Sequence, residues 1–206
     1  SDLKTAAYQL CNGIEDEGEI LLLAVDSNSE AAKERLAGFQ EEIKNEHPNV
    51  KIVDTIYCDE IDDLKKEIVE KKNAQKKSGE TPLTVEELSD EDVILYYMEQ
   101  YPNLKGMFGT NVTAVQLGLS ALREAEKTED VILTGFDAGE EQIEALKNGE
   151  IEGLAVQNPF GIGYASVVAA ARSVLQTGNE AFVDTGYVWV TKENIEETSI
   201  KNMLYQ

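Results

Sequence analysis

Residues 131–159, VILTGFDAGEEQIEALKNGEIEGLAVQNP, carry two short apolar runs, 131–133 and 154–156, each ending in polar residues, with a helical segment between them. Ile143 and Leu146 share one face of that segment, and Gly149 stops it. Strand, helix and strand at this spacing make one βαβ unit, whose two strands run parallel. Open parallel sheets bind ligands outside the carboxyl ends of their strands. Asp137 and Gln157, each just past an apolar run, therefore fall at one rim of one sheet. The stretch predicts a cleft for a small polar molecule.

The remaining segments extend the same alternation. Residues 1–14 place Leu3, Ala7, Leu10 and Ile14 at helical spacing, and Asn12-Gly13 weakens the helix end. The run EILLLAV, 19–25, lacks polar alternation, which is the pattern of a strand buried on both faces. Ser27 with Glu30 reads as a capping box. The helix after it carries Ala32, Leu36, Phe39 and Ile43 on one stripe and stops at Pro48. Val50–Tyr57 is the next strand. Residues 61–92 are too polar to be core and read as a charged, solvent-facing insertion. A helix over 93–101, a strand over 106–109 and a helix over 112–127 follow. Residues 160–177 form an apolar-striped helix, 187–190 (YVWV) a last strand, and 192–206 a terminal helix. The fold class is α/β, a doubly wound parallel sheet.

Charge excludes some functions. Forty acids against 18 bases give a net charge of −22, which repels phosphate backbones and anionic lipid. Nucleic acid is therefore not an expected partner. Asp59, Glu60, Asp62 and Asp63 lack the spacing and central glycine of a calcium loop and read as a solvated helix start. Gly161-Ile-Gly163 is a weak dinucleotide hint without its third glycine or acid-tipped strand. No nucleophile–base pair or metal cluster stands out, so the chain reads as a non-enzyme without cofactor. Cys11 and Cys58 read as two buried or half-buried thiols, and His47, ahead of Pro48, as a surface residue.

Five segments in order resemble the periplasmic-type (type I) sugar-binding proteins, the ribose-binding group that shares its fold with the effector domains of LacI-type repressors. They are SEAAKERLAGF (29–39), YPNLKGMFGTN (101–111), GFD (135–137), AVQNPFGIGY (155–164) and DTGYVWVTKEN (184–194). The resemblance implies two lobes joined by a hinge. Residues 1–157 then correspond to the C-terminal-type ligand-binding lobe, and 158–206 to hinge-crossing elements that partly complete an N-terminal lobe otherwise missing. A truncated form of this kind is expected to bind its solute weakly. Its apolar helix 160–177 is expected to pack on a second copy or on its own lobe.

The resemblance also supplies candidate ligand-binding residues: Asn111, Asp137, Gln157 and Lys33. An ionised Asp accepts two hydroxyl protons, while Asn and Gln both donate and accept, as neighbouring sugar hydroxyls require. Lys33 stands where ribose-type members carry arginine. It keeps the charge without the bidentate fork, which argues against ribose itself. Val112 replaces an acid common in the family, and Tyr57 is the nearest counterpart of its stacking ring, with Glu60 at the aligned position. Each polar residue also has a structural reading. Asn111 can cap helix 112–127, and Asp137 with Glu140 can cap the helix after it. The expected function is the solute-binding component of an ABC importer for a monosaccharide-like ligand, extracytoplasmic and partnered by the importer's membrane subunits. The alternative is a ligand-sensing domain of a LacI-type repressor or of a membrane sensor kinase.

Overall fold

Alternate residues of β1 (Gly18–Ala24) enter two different cores. Ile20, Leu22 and Ala24 pack with α1 (Asp2–Gly13) and α2 (Glu30–Glu46), whereas Leu21 and Leu23 face the opposite helical layer. A strand covered on both sides needs apolar residues at every position, which is why EILLLAV has no polar alternation. The computed structural model describes residues 2–180 and 183–204. The opposite layer is built from α3 (Ile61–Ala74), α4 (Asp90–Gln100), α5 (Val112–Glu124), α6 (Glu140–Asn148) and the short α8 (Thr198–Lys201).

The sheet has the order β2-β1-β3-β4-β5-β6. Its other strands are β2 (Val50–Tyr57), β3 (Leu104–Gly109), β4 (Ile132–Phe136), β5 (Gly153–Gln157) and β6 (Tyr187–Val190). The first five run parallel. Strand order reverses direction between β1 and β3, and a crevice opens at such a switch point outside the carboxyl ends. The doubly wound α/β architecture read from the sequence is therefore present.

Strand β6 departs from the expected parallel pattern. It runs antiparallel to β5 in the same sheet, with Gln157 opposite Tyr187 and Leu154 opposite Val190. A parallel strand needs a crossover helix lying on the sheet, and α7 (Pro159–Leu175) does not lie there, since none of its residues is buried. Instead Asn158 donates its backbone N–H to Gly186 and fixes the start of β6 beside the end of β5. Phe160, Tyr164, Val167, Val174 and Leu175 remain exposed along α7.

Three further expectations need correction. The helix cap is Ser29, which accepts from the Ala32 N–H. Ser27 is drawn away to Asp59, and Asp26 accepts the backbone N–H groups of Asn28 and Ser29. The 61–92 stretch is not wholly solvent-facing, because Ile61 and Ile68 on the inner side of α3 enter the core with Val93 and Ile94 of α4. His47 is not a surface residue: it is 5% exposed, with Asp16 against Nδ1 at 2.5 Å and Tyr8 beside the ring. The two thiols agree with the reading, Cys11 buried and Cys58 half-buried, both free.

Trp189 of β6 lies across β5 where residue 153 lacks a side chain. A Cβ there would stand 2.1 Å from the indole Cζ2. Overpacking of this kind costs about 1–3 kcal/mol. Gly153→Ala is expected to lower the denaturant midpoint accordingly in a chemical unfolding curve followed by circular dichroism. An unchanged midpoint would mean that β6 is not held by this contact.

Candidate functional site

Strands β3, β4 and β5 are consecutive and parallel, so the residues that follow them share one rim. Asn111, Asp137 and Gln157 occupy these three strand ends. Asp137 turns the chain out of β4 with φ at 64°, a left-handed conformation that Asp tolerates better than most side chains. Its backbone N–H donates to the Ala155 carbonyl at 2.8 Å, and the Gln157 backbone N–H donates to its carboxylate. Strain held at a strand end by neighbouring strands is a common property of functional positions.

The cation facing Asp137 comes from α2. Arg35 lies on the inner stripe, three residues after Ala32 and four before Phe39, and its side chain is only 18% exposed. The guanidinium Nη1 donates to the Thr110 carbonyl at 2.7 Å, and Nη2 lies 3.8 Å from Asp137 Oδ2. The group stacks 3.8 Å above the centre of the Phe136 ring, an arrangement that suits a planar, weakly hydrated cation. Thr110 itself is buried, and its hydroxyl accepts the Val25 N–H, tying the end of β3 to the end of β1 at the switch point.

The pair is loose for its burial. Desolvation lowers the Arg35 pKa more than Asp137 raises it, and desolvation raises the Asp137 pKa more than Arg35 and the Gln157 N–H lower it. Both groups are thus held charged against their surroundings, and a contact of 3.8 Å is longer than a hydrogen bond. Opposite charges left partly desolvated and not fully paired mark a candidate functional site.

The other expected residues are placed as follows. Asn111 does cap α5, its Oδ1 accepting from the Ala114 N–H at 2.9 Å, while its Nδ2 is left over from the cap. Asp137 does not cap α6. Gly139 stands at that position, and Gln142 folds back so that its Oε1 accepts the Gly139 N–H. Gln157 has an exposed side chain at the end of β5. Lys33 sits in the first turn of α2, pairs with Glu30 at 3.2 Å and is 53% exposed. The rim cation that reaches Asp137 is Arg35, a residue the sequence reading passed over although its stripe position marked it. Tyr57 packs on the α1–α2 core side, and Glu60 is exposed at the start of α3.

Of these rim residues, Asp137 and Gln157 line a cavity of about 350 Å³, together with Pro159, Ile162, Met203 and Leu204. That is within the roughly 300–1,000 Å³ usual for small-molecule sites. A carboxylate, a guanidinium and two carboxamides can together donate to and accept from a set of adjacent hydroxyls. They do not form a nucleophile–base pair.

Comparison with known proteins agrees with this architecture. Residues 90–179 match the periplasmic binding protein domain. A D-apiose import binding protein of Paraburkholderia graminis is 29% identical over 82 residues, which are 40% of this chain and 26% of that protein. A carbohydrate transporter solute binding protein from Agrobacterium radiobacter, solved with D-arabinose, superposes with a TM-score of 0.78 at 23% identity, over 99% of this chain and 62% of that one. An ABC transporter solute binding protein from Agrobacterium vitis, solved with α-D-tagatopyranose, gives 0.78 at 20% identity, over 100% and 60%. The chain thus spans about three fifths of the solved proteins it resembles. It has the type I periplasmic binding protein fold and carries the sequence match of that group over residues 90–179.

Proposed function

We propose that this chain is the solute-binding component of an ABC importer for a monosaccharide-like ligand, acting outside the cytoplasm and delivering its solute to the importer's membrane subunits. On this reading residues 1–157 are the ligand-facing lobe, and 158–206 belong to the hinge region. Asp137 accepts from two sugar hydroxyls, Asn111 donates to one through the Nδ2 its cap leaves over, and Gln157 donates to one and accepts from another. Arg35 joins them as the charged donor, and Lys33 stands further along the rim as a second cation. The observation that carries the proposal is the half-buried, incompletely paired couple of Arg35, from α2, and Asp137, at the carboxyl end of β4, where Asp137 and Gln157 also line a cavity of ligand size. Sugars named with similar proteins, D-arabinose and tagatose among them, are of the chemistry such a rim fits.

A rim that touches one side of a sugar binds weakly, so the suitable measurement is amide chemical-shift mapping during titration with D-arabinose and D-tagatose. Shifts are expected at millimolar sugar, concentrated at Arg35, Thr110, Asn111, Asp137 and Gln157. Shifts scattered over the surface, or an equal response to a neutral amino acid, would overturn the assignment.

Asp137→Asn separates binding from stability. The folded-state pKa of Asp137 is raised above its ordinary value of 3.8, so the fold disfavours the ionised carboxylate at neutral pH. That penalty is relieved as pH falls through the folded pKa and is gone below 3.8. The variant is expected to lose the sugar response while matching or exceeding the parent's stability at pH 7, by about 1 kcal/mol at most given solvent screening. The difference should narrow in thermal unfolding as pH is lowered toward about 3, below the ordinary Asp value of about 3.9. A variant markedly less stable than its parent at pH 7 would show that the carboxylate supports the fold.

A further inference from the structure

The opposite rim of the sheet, at the amino ends of the strands, holds a second constellation that the sugar reading does not use. Cys11 on the last turn of α1, Asp16 in the turn leading to β1 and His47 at the end of α2 bring a thiol sulfur, a carboxylate oxygen and an imidazole nitrogen within 4.8 Å of one another. We propose that these three side chains bind a divalent transition-metal ion of the zinc type, with water as the fourth ligand.

Several observations support the site. His47 is 5% exposed, and its Nδ1, the nitrogen that meets Asp16, is the one an ion in the cluster would take. The backbone around the cluster is fixed before any ion arrives. Asp16 donates its N–H to the Cys11 carbonyl at 2.7 Å, and the His47 N–H and carbonyl pair with Ile43 and Val50. The Asp16 side chain is 56% exposed, so an ion has a way in. Thiolate, imidazole and carboxylate together suit zinc or cobalt, whereas calcium and magnesium prefer oxygen donors alone.

Binding would have to overcome the present state of the thiol. Burial, then Asp16, then Glu42 push the Cys11 thiol up to about 12, so without an ion it stays protonated and inert. A dication reverses that balance and releases the thiol proton to solvent on binding. Donors of a tetrahedral zinc ion lie about 2.0–2.3 Å from it, so the Asp16 oxygen and the ring nitrogen would separate by roughly 0.8 Å. The half-exposed Asp16 side chain can supply this movement. The bound ion would clamp the α1–β1 turn to the end of α2, a structural role remote from Asp137.

The test is titration of the chelator-treated, reduced chain with Co²⁺, read by absorption. One equivalent is expected to give the near-ultraviolet thiolate-to-cobalt band and intense visible bands of tetrahedral cobalt, both removed by Zn²⁺. Cys11→Ser should abolish the thiolate band. Asp16→Asn, at an exposed position that leaves the core intact, should weaken cobalt binding roughly tenfold or more, as loss of a metal-site partner does. Cys58→Ser and Asp137→Asn should leave both bands unchanged. Absence of the thiolate band in the parent chain, its persistence in Cys11→Ser, unchanged affinity in Asp16→Asn or its loss in Cys58→Ser would each overturn the proposal.

Discussion

Burial of β1 on both of its faces is the constraint from which the rest of the molecule follows. A strand with Ile20, Leu22 and Ala24 in one core and Leu21 and Leu23 in the other must be covered by helices on both sides. Parallel crossovers with a fixed hand then send α1 and α2 to one face and α3 to α6 to the other. Strand order consequently reverses beside β1. The reversal opens the crevice into which Arg35 reaches from α2 toward the ends of β3 and β4. The candidate site is thus a product of strand order before it is a product of side chains.

Within that crevice the polar groups are arranged against local stability. Asp137 is left-handed, half-buried and 3.8 Å from its counter-ion. A tighter pair, or two apolar residues of similar size, would satisfy the fold at least as well. Phe136 and the Thr110 carbonyl hold the guanidinium in place, so its looseness toward Asp137 does not come from disorder in the arginine. A ligand hydroxyl placed between the two groups would satisfy both. On the proposed reading, this is the physical sense in which the rim is prepared for an occupant.

Much of this was legible in the sequence where a pattern depends on local chain geometry. The all-apolar 19–25 run, the Val50–Tyr57 and Tyr187–Val190 strands and the three strand ends at 111, 137 and 157 follow from periodicity and from resemblance to a known group of proteins. The failures share another cause, competition among nearby polar groups or partners far along the chain. Ser27 and Ser29 both satisfy a cap pattern, and Asp59, 32 residues away, decides between them by holding Ser27. Arg35, which the sequence reading passed over, has the direction and reach to meet Asp137 from the buried stripe. His47 looked exposed because it precedes Pro48, and only the packing of the α1–β1 turn encloses it. The direction of β6 depends on α7 leaving the sheet, which an apolar stripe in α7 cannot reveal.

The overall charge bears on what the rim can accept. Forty carboxylates and 18 cationic side chains surround the cleft with a negative field, which lowers the local concentration of anionic solutes and raises that of cationic ones. A cationic solute would still meet Arg35, a buried like charge, at the point of contact. An anionic one would meet Asp137. A neutral polyhydroxylated solute avoids both repulsions and offers donors to the carboxylate and acceptors to the guanidinium at once. The far field thus disfavours anions and the contact chemistry disfavours either charge, which together suit the neutral solute proposed above.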